Sequence, residues 1–265
     1  MLIALWQRAA GLRGTLGTLL VLLLLWEAAV WWFAPPVILL PAPSGIIADF
    51  FRTPGYYMKQ ASMTLWITLV GFSLATVLGV ALAVAIVSSR LLDRVITTVL
   101  VIMNSLPKVA LAPLFVIWMG IGAEPKVAIT LLLAIFAIVA DVALGLRSVD
   151  PDALALARVN HASTWDILTK VRLPNALPAL FVGMKVAISF ALVGAIVGEF
   201  VGGSGGLGFV ILTAQGQFDT TRVFTALTLL GIMGTVLFYA VESVERLAVP
   251  WHTSQRNSAG HGRSG

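Results

Sequence analysis

Six stretches of this 265-residue chain run for about twenty residues with hardly a charge: 15–33, 63–87, 95–118, 127–146, 176–200 and 223–241. A helix of about that length crosses a hydrocarbon core of roughly 30 Å. In lipid, only structures that satisfy their own backbone groups can span, so the reading is an all-α polytopic membrane protein with six transmembrane helices. Composition agrees. With 59% apolar and 11% charged residues, too little polar surface would remain to cover a soluble domain. Cysteine is absent, which excludes disulfides, thiolate metal sites and a cysteine nucleophile.

Net charge is +5, and its distribution decides what that means. If the N-terminus lies inside, Arg8, Arg13, Arg90, Arg94, Arg147, Arg158, Lys170, Arg172, Arg246, Arg256 and Arg263 fall on the inner side. Only Arg52, Lys59, Lys126 and Arg222 fall outside. This is the positive-inside bias, which places both termini in the cytoplasm and leaves no basic stripe that needs a nucleic acid. Residues 1–14 form a cytoplasmic N-terminus, 15–249 the transmembrane domain, and 250–265 a Ser-, Gly- and His-rich tail expected to be disordered. His252 and His261 read as solvated tail residues. The first apolar run is too long for a signal peptide and is followed by Pro35-Pro36 instead of a small-residue cleavage site; it is read as a retained span. Trp31, Trp32 and Phe33 form an aromatic belt at its outer end. In the external connection 35–60, Ile46, Ile47, Phe50 and Phe51 are spaced for a short amphipathic helix on the surface.

The polar interruption 146–174 has its own local logic. Asp150 can cap a short helix with Pro151 at its first position, and Ser163 can cap a second, with Asp166 at the capping-box position. Asp166 and Lys170 make an i,i+4 pair, while Trp165, Leu168 and Val171 gather on another face. Pro174 is expected to end the second helix. Two short helices with an apolar stripe, hung on a membrane protein, suit docking on a soluble partner.

Other motifs are weaker. Gly203, Gly205, Gly206 and Gly208 fit G-x-G-x-x-G, but no strand precedes them and no acid follows at the required distance, so they read as a tight external turn or gate. No G-x-x-x-x-G-K-[ST] occurs, so any ATP hydrolysis belongs to another polypeptide. No catalytic constellation or histidine metal spacing is visible. Pro107 and Pro113 break the third span, which is tolerated where a helix lines a cavity or is buried in protein. Ionisable residues inside spans are costly and tend to face a bundle interior or a pathway. Glu27, Lys108, Asp141, Lys185 and Glu199 qualify. From their depths, Lys185 could reach Asp141 by snorkelling, and Lys108, four residues after Asn104, either pairs with an acid such as Glu27 or meets an anionic solute. Glu199, just before the glycine turn, has a gate or a structural role.

The interruption also resembles the EAA loop of ABC-importer permeases: E-A-A, three residues, Gly, nine residues, Ile-x-Leu-Pro. Here Ala155-Leu156-Ala157 is followed at that spacing by His161 and then by Val171-Arg172-Leu173-Pro174. Ala155 stands where the family has Glu, and His161 where it has Gly. Further similar segments are L-L-P-A-P-S at 39–44, L-P-K-V-A-L-A-P-L at 106–114, I-W-M-G-I-G at 117–122, G-L-R-S-V-D at 145–150, G-E-F at 198–200 and S-G-G-L-G at 204–208. The chain is thus similar to type I importer permeases of the nitrate, sulfonate, taurine and thiamine-precursor group. The resemblance implies a transport subunit, not an enzyme, in a bacterial inner membrane. It implies a homodimer, two cytoplasmic ATPase subunits that carry the ATP and Mg²⁺, and an external substrate-binding protein. It also implies that ATPase coupling falls on Asp152, Ala155, Arg158, Asn160, His161, Ala162, Ser163, Trp165 and Leu168. The pathway or substrate candidates are Asn104, Lys108, Asp141, Lys185 and Glu199. The solute would be small, and anionic or aromatic/heterocyclic. An ion-coupled secondary transporter is the alternative, but it usually shows internal repeats and none is present; a membrane-embedded enzyme is a second.

Overall fold

In the computed structural model the described residues are 2–250, with side chains described from Gly17. The expected tail lies outside them. Every element among them is helical. Helix α1 is Leu2–Phe33, α2 Pro43–Arg52, α3 Pro54–Ser88 and α4 Arg90–Ser105. A 3₁₀ turn, Lys108–Leu111, leads into α5, Ala112–Met119, and then α6, Ala123–Arg147. Next come α7, Pro151–Val159, α8, Thr164–Asp166, a π-helical stretch, Ile167–Arg172, and α9, Leu173–Gly202. Helices α10, Leu207–Gly216, and α11, Thr220–Ala248, complete the chain. The helix of the first span begins well before it, at Leu2.

The bundle is built on α3, α6 and α9. In lipid, association relies on close van der Waals packing, which favours small residues at helix contacts. Thr130 of α6 shows this from two sides. A Cβ on Gly71 would lie 2.3 Å from its Cγ2, and one on Gly194 2.6 Å from its Cα. Gly79 meets Ile138 on α6 further along, so α3 and α6 run parallel. Gly145 of α6 meets Ala176 and Ala179 while Gly198 meets Lys126, so α9 runs antiparallel to both. Helix α11 returns alongside α9, with Gly234 against Leu192. One end of the bundle therefore carries the starts of α3, α6 and α11 and the glycine turn. The other carries the α3–α4 corner and the interruption 147–174.

Four helical stretches are long and apolar enough to cross a membrane: Pro54–Ser88, Ala123–Arg147, Thr164–Gly202 and Thr220–Ala248. The expected count of six differs at the other two. The third span is a pair, Arg90–Ser105 and Lys108–Met119, bent by 88° at Leu106–Pro107, where proline removes a backbone donor and clashes with the preceding turn. Within α1, Gly17–Phe33 is apolar but shorter than the others. Pro174 does not end its helix, because Thr164–Gly202 is continuous. The π-helical stretch at Ile167–Arg172 widens the turn just before the proline, which accommodates the missing donor. The amphipathic helix forms as α2, with Ile47 and Phe51 exposed. Its Ile46 is buried, and Thr225 of α11 bonds the Ile46 carbonyl and Asp49, so α2 is docked on the bundle.

Candidate functional site

Two sites at opposite ends of the bundle bring the sequence candidates together. The first is the two-helix loop. Asp150 caps α7 by accepting the Asp152 N–H at 2.8 Å, and Ser163 accepts the Asp166 N–H at 3.1 Å. Lys170 meets Asp166 at 2.5 Å. Asn160 closes α7 by donating to the Leu156 carbonyl at 2.9 Å. His161 has φ +54°, a left-handed conformation that favours glycine and that histidine enters more readily than most residues. This accounts for a glycine in the family pattern at that position. Asn175, in the first turn of α9, donates to Gly145 O and Ser148 Oγ, both at 3.1 Å, and ties the start of α9 to the end of α6.

Apolar exposure on this loop is concentrated in Leu156 (65%), Val159 (75%) and Trp165 (71%). Asp152, Ala155 and Arg158 are also exposed, whereas Ala162 is half-buried. Leu168 does not share the face of Trp165. It is half-buried and packs against the main core, because the π-helical stretch, Ile167–Arg172, turns it inward. The exposed apolar residues beside Trp165 are Leu156 and Val159 instead, and their i,i+3 spacing on α7 is the readable signal.

The second site lies at the glycine-turn end. Glu199 is fully buried and accepts from Thr64 Oγ1 at 2.8 Å and from the Gly208 N–H at 2.7 Å. Thr64 Oγ1 accepts from the Leu207 N–H at 2.8 Å, and Gln60 Oε1 from the Gly206 N–H at 2.7 Å. Three of the four free N–H groups expected at the start of a helix are thus satisfied by side chains from α3 and α9. Gly203, Gly205 and Gly206 have φ of +37°, +135° and +106°, and a Cβ on Gly206 would sit 2.0 Å from Glu199 Oε1. The turn therefore requires glycine for both conformation and space. Lys126, only 3% exposed, donates to Ser204 Oγ at 3.1 Å and Gly205 O at 3.3 Å. Beside it opens a cavity of about 460 Å³ lined by Ser62, Met63, Trp66, Lys126 and Ser204.

Gln60, Thr64 and Lys126 were not among the sequence candidates. Gln60, Thr64 and Thr68 recur every fourth residue at the start of an apolar span, and that polar stripe was the readable signal. The charge distribution places Lys126 in an external segment, but α6 begins at Ala123 and buries it.

The remaining candidates are dispersed. Asp141 does not meet Lys185. It faces Gly183, whose Cβ would lie 3.1 Å from its own, and residues two apart on a helix point in different directions. Lys185 instead binds Glu245 of α11 at 2.8 Å, a buried pair. Lys108 does not meet Glu27. Glu27 accepts from Ser44 N–H at 2.9 Å and Ser44 Oγ at 2.6 Å, holding the start of α2. Lys108 donates to Asn104 Oδ1 at 2.8 Å and lies 5.2 Å from the Phe136 ring centroid, an attraction of cation and π-face. Among the described residues no group of three or more His, Cys, Asp or Glu is placed to hold a metal ion.

Residues 75–251 match the model of the binding-protein-dependent transport system inner membrane component family. The riboflavin transport system permease protein RibX of Chloroflexus aurantiacus is 34% identical, over 89% of both chains. The formylaminopyrimidine transport permease protein ThiX of Halalkalibacterium halodurans is 30% identical, over 89% of this chain and 94% of its own. Among solved structures, the MetNI methionine ABC transporter in an inward-facing form shares the fold, with TM-score 0.66 and 22% identity over 74% of this chain and 97% of that one. Together with a multi-pass helical bundle and a capped two-helix loop, these likenesses show that the chain belongs to the binding-protein-dependent transport system inner membrane component family, the permease subunits of ABC importers.

Proposed function

We propose that this chain is one half of the membrane pathway of an ATP-driven importer, working as a homodimer with two ATPase subunits and an external binding protein. The observation that carries the reading is the loop face of Leu156, Val159 and Trp165, exposed and apolar on helices whose starts are capped by Asp150 and Ser163. A rigid apolar patch on a polar loop suits a protein partner. ATP and Mg²⁺ bound to the partner would drive closure of the ATPase pair, and α7 with the segment after it would pass that motion to the spans. The charge bias supports a cytoplasmic loop end and cytoplasmic termini. In this orientation the glycine turn and the Lys126 cavity face the binding protein.

Among the pathway candidates, Asn104 and Lys108 at the bend remain suited to meet solute, as does Asp141, which has no side-chain partner among the described residues, while Glu199 and Lys185 are engaged in structural contacts. The solute is read as small and either anionic or aromatic/heterocyclic. The buried ammonium of Lys126 beside Trp66 supports it, as do the names of relatives that transport riboflavin or formylaminopyrimidine. Co-purification of the ATPase tests the reading. Trp165→Ala and Leu156→Asp should each reduce ATPase recovery several-fold while membrane insertion and dimerisation persist. Full recovery in both removes the loop from coupling.

A further inference from the structure

At the glycine-turn end, the cavity of about 460 Å³ beside Lys126 falls in the range of small-molecule sites, about 300–1,000 Å³. Its chemistry is one-sided. Ser62, Trp66, Lys126 and Ser204 line it, and among the described residues no carboxylate does. The Lys126 ammonium, 3% exposed, directs two of its three N–H groups at neutral acceptors, Ser204 Oγ and the Gly205 carbonyl. A buried cation held only by neutral groups keeps much of its desolvation cost, which an anion offsets. The two acids nearby are placed elsewhere. Glu199 accepts from Thr64 and the Gly208 N–H. Glu124 lies against Gly122 in the first turn of α6, where the helix dipole favours a negative charge.

The other half of the chemistry is apolar. Trp66 and Ala123 also line an adjoining cavity of about 480 Å³, so the two hollows meet at these residues. Apart from Glu124, the walls of the second are apolar, with Phe115 and Met119 of α5 opposite Trp66 and Leu131. Trp66 is 54% exposed. It therefore stands between a buried ammonium and an apolar chamber, with much of its indole uncovered by the chain itself.

Resting on the reading of the chain as an importer pathway, we propose that this double cavity takes a solute that is aromatic and anionic at once. The ring lies against Trp66 and Met119, and the anionic group meets Lys126 and Ser204. An inorganic anion would leave the apolar chamber unfilled, and a neutral ring would leave the ammonium uncompensated. Trp66 and Lys126 are then the residues that select the solute, one by stacking and one by charge.

Saturation-transfer NMR tests the site on the full-length chain, isolated from membranes with its associated subunits and placed in phosphatidylcholine nanodiscs. Empty nanodiscs give the blank. The probes are pyridine-3-carboxylate, its neutral amide and acetate. The wild type should bind the pyridine carboxylate about tenfold more tightly than the amide, as a charge-assisted contact implies, and more tightly than acetate. Lys126→Met should erase the preference for carboxylate over amide. Trp66→Ala should weaken both ring probes by about three- to tenfold. Glu124→Gln should leave carboxylate binding as tight or tighter. The comparison of probes on the wild type stands even if Lys126→Met fails to fold. Equal binding of carboxylate and amide, or acetate bound as tightly as the pyridine carboxylate, overturns the proposal. So does a preference lost in Lys108→Gln but kept in Lys126→Met, which would move the anion to the bend. Binding of no probe also overturns it and assigns the double cavity to lipid or to a second copy of the chain. ATPase recovery with Trp165→Ala reports on the importer reading by itself, so that reading and this site can fail separately.

Discussion

Glu199 shows how a single side chain can fix the geometry of this protein. Its carboxylate accepts from two elements that would otherwise leave donors unpaired away from water, and each such orphan costs about 1–3 kcal/mol. Glu199→Leu should therefore lower the melting temperature of the detergent-purified chain by several degrees. Glu199→Gln, which keeps an acceptor, should cost much less; equal losses in the two variants would contradict the account. Lys185 and Glu245 behave differently, because among the described residues each is the other's ion-pair partner in a largely buried setting. Lys185→Met or Glu245→Leu alone should destabilise by about 3–5 kcal/mol, and the double change should recover most of it. Additive losses in a double-mutant cycle would show that the pair is not coupled. Glu245 was invisible as a partner in the sequence because it lies in the last turns of α11, sixty residues from Lys185, and only antiparallel packing brings the two together.

At the scale of elements, the contact of α3, α6 and α9 rests on the absence of side chains. Gly194→Ala would force a methyl group against backbone atoms of Thr130, and overpacking of this kind costs about 1–3 kcal/mol. The expected result is a lower melting temperature, checked by thermal unfolding; no change would mean that α9 shifts freely along α6. The local elements were largely legible. Caps at Asp150 and Ser163, the Asp166–Lys170 pair, the break at Pro107 and the glycine turn all depend on residues within a few positions of one another. Pro174 and Leu168 were not legible, because the extra residue per turn of a π-helical stretch changes which way a side chain points and has no simple signature. The long-range polar contacts of Gln60, Thr64 and Lys126 were hidden for a related reason: apolar runs announce a span but not which of its faces meets which neighbour.

For the whole molecule, family and fold followed from a loop frame and six apolar runs, while the pairing of intramembrane charges depended on the relative rotation of helices. The two ends of the bundle are chemically distinct. One holds a buried polar node around a glycine turn, the other an exposed apolar loop beside a cluster of arginines, Arg90, Arg147 and Arg172. On the proposed reading, motion at one end reaches the other through α6 and α9, whose contact runs from Gly145 to Gly198.

Reconstitution of the chain with its ATPase and binding protein in liposomes tests that link most directly. The measurement is ATP-dependent accumulation of the binding protein's own ligand, for the wild type and for Trp165→Ala. The account predicts accumulation only with ATP on the loop side, and its loss in Trp165→Ala with the melting temperature of the permease unchanged. Accumulation driven by an ion gradient without ATP, or undiminished in Trp165→Ala, would contradict it.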